Sequence, residues 1–168
     1  MPEPSTATTN HLIKIDLDET GLAPPTPEIE QERQVALYDL LEENAFGLPA
    51  RADRSEPEGP YHLCLSIRER RLVFDIRVAA DNSKASEFHL SLTPLNQVVK
   101  DYFQICESYF DAVKRLPAAQ IEAIDMGRRG IHDEGSRILL ERLAGKVDTD
   151  MATARRLFTL ICVLHFKG

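Results

Sequence analysis

The chain of 168 residues is 43% hydrophobic, 28% charged and 7% aromatic, the composition of one ordinary soluble domain. A domain of this length buries roughly two thirds of its unfolded surface, so it folds without disulfides or structural metal. No run approaches the roughly 18 apolar residues of a spanning helix, and the amino-terminal MPEPSTATTN has neither the basic start nor the apolar core of a signal peptide.

Cys64, Cys106 and Cys162 are far apart and form no CxxC pair, which excludes a zinc ribbon and a disulfide framework. The expectation is a cytoplasmic protein with reduced thiols, no metal, no cofactor and no membrane association. The net charge of −7 comes wholly from residues 1–58, which hold 13 acidic and 4 basic side chains, while the rest of the chain is slightly basic. An acidic front opposes binding to a phosphate backbone, so nucleic acid is disfavoured as a partner.

Residues 1–10 are expected to be disordered and residues 11–168 to form a single α+β domain. Leu12 to Leu17 alternates, with Ile13, Ile15 and Leu17 on one side and Lys14 and Asp16 on the other, and predicts a strand. The prolines between Gly21 and Pro27 break the chain before a helix from Glu28 to Asn44. Its apolar side carries Ile29, Ala36, Leu37, Leu40 and Leu41, with Arg33 among them. Phe46 to Pro60 reads as an exposed loop.

Tyr61, Leu63, Leu65 and Ile67, then Leu72, Phe74, Ile76 and Val78, predict a hairpin with one apolar face. Phe88, Leu90 and Leu92 add a third strand. The result is an antiparallel sheet of about four strands, with helices packed on one face and a C-terminal half that is all helical. The polar face gathers His62, Cys64, Asp75, Arg77 and His89, which reads as a solvated surface open to docking.

From Pro94 the period becomes helical. A helix from Leu95 to Leu116 presents Val98, Val99, Tyr102, Ile105, Cys106, Tyr109, Phe110 and Val113 on one wide face. Pro117 opens a second helix that runs to about Leu143 and ends at Gly145. Asp148 or Thr149 is expected to cap a third, apolar over most of its circumference and therefore central, with His165 a satisfied core histidine. The stretch RLAGKVDTDMATARRLFTL has the outline of a helix-turn-helix with Arg155 and Arg156 on its second helix, but that apolar wrap opposes insertion into a groove.

The segment DMGRRGIHDEG, Asp125 to Gly135, carries the chemistry. On a helical wheel Arg128 falls inside the arc of Ile121, Ile124, Ile131, Ile138 and Leu139, with Asp125 and His132 at its margin. A guanidinium turned inward needs a carboxylate, a carbonyl or a bound anion. Gly127, Gly130 and Gly135 each cost a helix roughly 1 kcal/mol against alanine, which points to close approach or a break.

Two roles follow. A polar network of Asp125, Arg128 and His132 fixes helix packing, or Arg128 and Arg129 bind an anion with His132, and more weakly Asp125, as catalytic candidates. A metal site is disfavoured, because His132 and Asp133 diverge by about 100° around a helix. The chain has no Walker loop, GxGxxG, HExxH or GxSxG.

The segments IDLDET, HLSLTPLNQVVKDYFQICESY, QIEAIDMGRRGIHDEGSRILLERLAGK and TARRLFTLICVLHFKG together resemble uncharacterised protein family number 0262 of alphaproteobacteria, over about residues 11–168. The resemblance implies a bacterial cytosolic protein and transfers no activity. The leading expectation is a non-catalytic module that binds a protein partner or itself, from its acidic front and open sheet face. The alternative is a small-molecule enzyme or anion sensor with a pocket at Arg128, Arg129 and His132.

Overall fold

A computed structural model describes residues 10–22, 24–49 and 56–165. The expected disorder of residues 1–10 falls almost wholly outside them. The chain order is β1 (Leu12–Leu17), α1 (Pro27–Glu42), β2 (Phe46–Gly47), β3 (Tyr61–Arg68), β4 (Arg71–Val78), β5 (Lys84–Ser91), α2 (Thr93–Arg115), α3 (Ala118–Leu143), β6 (Asp148–Thr149) and α4 (Met151–His165). The class is α+β.

The main sheet has the order β1-β3-β4-β5. β3, β4 and β5 form the expected antiparallel meander, but β1 runs parallel to β3, so the sheet is mixed rather than antiparallel. The intervening α1 makes this possible, because parallel neighbours need a crossover that a hairpin cannot supply. The β3–β4 turn is two residues, Glu69 and Arg70, both at positive φ (51° and 64°), as the twist of a tight hairpin requires.

β1 does not alternate as its sequence predicts. Leu12 pairs with Tyr61 and Lys14 with His62, so Ile13 is an extra, bulged residue. The bulge resets the faces: Leu12 and Ile15 are buried, while Ile13 is half exposed. The helix boundaries have local causes. The Thr26 hydroxyl accepts the Ile29 N–H at 3.2 Å and Pro27 occupies the first turn of α1. Leu116, ahead of Pro117, is extended and ends α2, and Gly145 turns the chain after α3 at φ +81°.

Two expectations are corrected here. Phe46 and Gly47 do not belong to an exposed loop; they are buried and pair antiparallel with Thr149 and Asp148. Asp148 and Thr149 are therefore strand residues, and Asp150 caps α4 instead, its Oδ1 accepting the Thr153 N–H at 2.8 Å.

α4 is the central helix, as its apolar circumference requires. Ala154, Leu157, Phe158 and every residue from Leu160 to Leu164 are buried. It packs against α1, α3 and β3. One core joins it to Leu63 and Leu65 of β3, Phe74 and Ile76 of β4, Leu40 of α1 and Val99 of α2. His165 is half-buried at the end of α4 and bonds Asn96 at 3.2 Å. Among the described residues no helix is long and apolar enough to cross a membrane.

Candidate functional site

α3 runs unbroken through its glycines, so the backbone does not open there. Two of the three serve close approach. A Cβ on Gly127 would stand 2.9 Å from Ile105 of α2, and one on Gly135 would overlap the Phe158 ring of α4. Gly130 faces open space. α3 is thereby drawn onto α2 and α4 while its inward polar side chains reach a cleft.

The cleft has a volume of about 520 Å³ and is walled by α1, α3 and α4, with Tyr102 of α2 in its lining. α1 contributes Glu32, Val35, Ala36 and Asp39; α3 contributes Arg128, Arg129, His132 and Asp133; α4 contributes Arg155, Arg156 and Thr159. The volume falls within the range of small-molecule sites.

Arg128 is turned inward, with its side chain 26% exposed. Its Nε and Nη2 donate to Asp125 Oδ1 at 3.1 and 2.6 Å. Nη1 lies 3.9 Å from Glu32 Oε1, and the guanidinium stands 4.7 Å from the centre of the Tyr109 ring. Asp125 also takes Arg129 Nη2 on Oδ2 at 2.9 Å. Its hydrogen bonds with Arg128 hold its carboxyl below the usual range. Both oxygens of Asp125 are thus engaged, which makes it a poor proton acceptor.

Glu32 is a member of this group that the sequence did not reveal. Burial pushes its carboxyl up, against the pull of the Arg128 charge. The Tyr102 hydroxyl donates to it at 3.3 Å, and Cys106 Sγ lies 3.9 Å away. Burial raises the Tyr102 hydroxyl strongly and the Cys106 thiol to about 12, so both stay protonated. A signal for Glu32 existed: it sits three residues after Ile29 and four before Ala36, on the buried stripe of α1.

His132 does not join Arg128. Its Nε2 lies 2.8 Å from Thr159 Oγ1, and Nδ1 lies 3.5 Å from Ser136 Oγ. The Thr159 hydroxyl donates to the Arg155 carbonyl and the Ser136 hydroxyl to the His132 carbonyl. That pattern assigns the ring proton to Nε2 and leaves the Nδ1 lone pair facing Ser136 on its own helix. Burial lowers the imidazole to about 4, so it is neutral at pH 7. The ring packs edge-on against Phe158, with centroids 5.2 Å apart.

The expected trio therefore divides into an Asp125, Arg128 and Glu32 cluster and a separate link from His132 to Thr159. Arg155 pairs with Asp133 at 3.1 Å, and Arg156 donates to the Glu43 carbonyl at 3.2 Å. Both line the cleft rather than the free surface a groove-reading helix needs. Among the described residues no group of three or more metal-ligand side chains stands together. On the outer sheet face His62 bonds Asp16 at 2.7 Å, and burial raises the half-buried Cys64 thiol, away from a reactive thiolate.

These features define an α+β protein with a ligand-sized, charge-lined cleft between helices. The chain belongs to the Uncharacterised protein family (UPF0262), whose profile matches residues 9–167. It is 70% identical over 161 residues to a UPF0262 protein of Ruegeria pomeroyi, covering 96% of this chain and 99% of that one. A Dinoroseobacter shibae relative is 68% identical over 157 residues (94% and 98%), and one from Roseobacter denitrificans 70% over 159 (95% and 99%). The names of these relatives give no activity. No solved structure matches the chain.

Proposed function

We propose that the cleft is a binding site for a small organic anion and that the protein acts as a ligand-binding module rather than a catalyst. The observation that carries this is a 520 Å³ cleft on which four arginines from two helices converge opposite the apolar Val35 and Ala36 of α1. Arg129 and the α4 arginines meet the anion at the rim. Arg128 holds the floor through Asp125 and Glu32. No proton-transfer step is assigned to His132 or Asp125, since the first presents its lone pair to its own helix and the second is saturated by arginines. The three free thiols suit a reducing, cytoplasmic setting.

A thermal-shift panel of phosphates, sulfonates and mono- and dicarboxylates tests the reading. At least one member is expected to raise the melting temperature saturably, by about 2.7 kcal/mol of stabilisation at a hundredfold excess over its Kd. The rise should vanish in Arg129→Glu. A panel in which nothing shifts would discard the reading.

A second reading, docking of a protein partner, is favoured by one feature of α1. Val35, Tyr38 and Leu41 recur at three-residue spacing and are 47%, 66% and 46% exposed. α1 carries five acidic residues and one basic one, so this stripe complements a basic partner and opposes a second copy of itself. Light scattering should accordingly find a monomer, and a dimer lost in Tyr38→Ser would assign the stripe to self-association.

A further inference from the structure

The positive charges of the cleft are not equally available. Arg128 is held by Asp125 and Glu32, Arg129 by Asp125, and Arg155 by Asp133. Arg156 differs. Its Nη1 donates to the backbone carbonyl of Glu43, just past the end of α1, and among the described residues no carboxylate pairs with it. A guanidinium has five N–H donors in a planar fork, so one bond to a carbonyl leaves most of that fork open.

The charge of the whole lining sets a second limit. Four arginines face Glu32, Asp39 and Asp133, His132 is neutral, and Asp125 behind the lining holds Arg128 and Arg129, so the open fork of Arg156 is the cation left for a ligand. Besides the polar Gln31 and Thr159, the wall is made by Val35, nearly half exposed, Ala36 and the ring of Tyr102. Val35 and Ala36 line the cleft from the α1 side, two turns before the carbonyl that Arg156 holds, and Tyr102 comes from α2.

We propose that the cleft takes a monocarboxylate bearing an apolar ring or short chain, its carboxylate gripped by Arg156 and its body laid against Val35, Ala36 and Tyr102. This rests on the anion-site reading above and narrows it to one class. A planar carboxylate matches the guanidinium fork in two parallel bonds. A dianion does not match: its second charge would meet Asp39, Asp133 and Glu32 with no cation to spare, and its desolvation would go uncompensated. A carboxylate without an apolar body would forgo the α1 wall, where burial of each methylene contributes about 0.8 kcal/mol.

Isothermal titration of the full chain with 4-phenylbutyrate, acetate, phenyl phosphate and inorganic phosphate decides the matter. 4-Phenylbutyrate is expected to bind at least tenfold more tightly than each of the others. Arg156→Gln should weaken it at least tenfold. Because Arg156 also holds a backbone carbonyl, Val35→Asp provides an independent variant at an exposed position: it removes apolar wall, adds a repelling charge, and should abolish binding with the melting temperature little changed. Tighter binding of either phosphate would overturn the monocarboxylate assignment while leaving the cleft an anion site. Unchanged 4-phenylbutyrate affinity in both variants would overturn the placement, and silence from all four probes would overturn the assignment, the broader reading then standing or falling by its own panel.

Discussion

His132 illustrates how one side chain reports its surroundings. Its imidazole, lowered to about 4 by burial, takes up a proton in the unfolded chain near pH 6.5 but not in the folded one. Between those values the unfolded state binds more protons, so stability rises with pH and is lost on acidification. The loss is fully absent above pH 6.5 and amounts to about 3 kcal/mol once the pH has fallen to 4. Glu32, with its raised carboxyl, works in the opposite direction over its own window above 4.5, where the folded state is the one that holds the extra proton. The comparison that isolates the histidine is therefore the difference in melting temperature between the wild type and His132→Asn, measured from pH 7.5 to 5. The wild type should lose ground steadily below pH 6.5; a constant difference would show the ring to be freely protonated.

At the scale of the element, α3 is held by what its glycines omit. Gly135→Ala would drive a methyl group into the Phe158 ring and should cost about 1–3 kcal/mol, as overpacked cores do. Gly130→Ala meets nothing and should instead stabilise the helix by up to about 1 kcal/mol. Urea denaturation of the two variants checks both signs together. The same helix shows which parts of the site were legible. Asp125 and Arg128 are three residues apart on one face, so their pairing follows from helical geometry alone. Glu32 is 96 positions from Arg128, and only the packing of α1 across α3 and α4 brings it there. β1 misled for a different reason: Ile13, Ile15 and Leu17 look like one apolar side, and a bulge that breaks the alternation leaves no mark in the residue types.

Across the whole molecule, the start of β1, the end of α1 and the start of α4 are clamped at one place. Thr153 is fully buried in α4, and its hydroxyl accepts the Ala45 N–H at 2.9 Å, while the Thr149 hydroxyl donates to the Ala45 carbonyl. Asn44 next door accepts the Leu12 N–H at 2.7 Å and donates to the Leu12 and Leu40 carbonyls. This clamp fixes the end of α1 against α4, and so the width of the cleft between them. Thr153→Val keeps the shape but strands the Ala45 amide, at a cost of about 1–3 kcal/mol. Hydrogen exchange should quicken at Ala45 and at the Phe46 and Thr149 pair before it quickens in β3 or β4; uniform quickening would mean that the clamp is not a local unit.

The residue types by themselves determined the α+β class, the meander, the four helices, the central position of α4 and the inward turn of Arg128. Each of these follows from a period of two or 3.6 and from where proline and glycine interrupt it. Tertiary structure decided the rest: the parallel placement of β1, the pairing of two-residue strands too short to show a period, the separation of His132 from Arg128, and the union of Glu32, Arg128 and Arg156 around one cleft. Those depend on which helix packs against which, and side chains a hundred positions apart carry no local signal of the neighbour that will satisfy their charge.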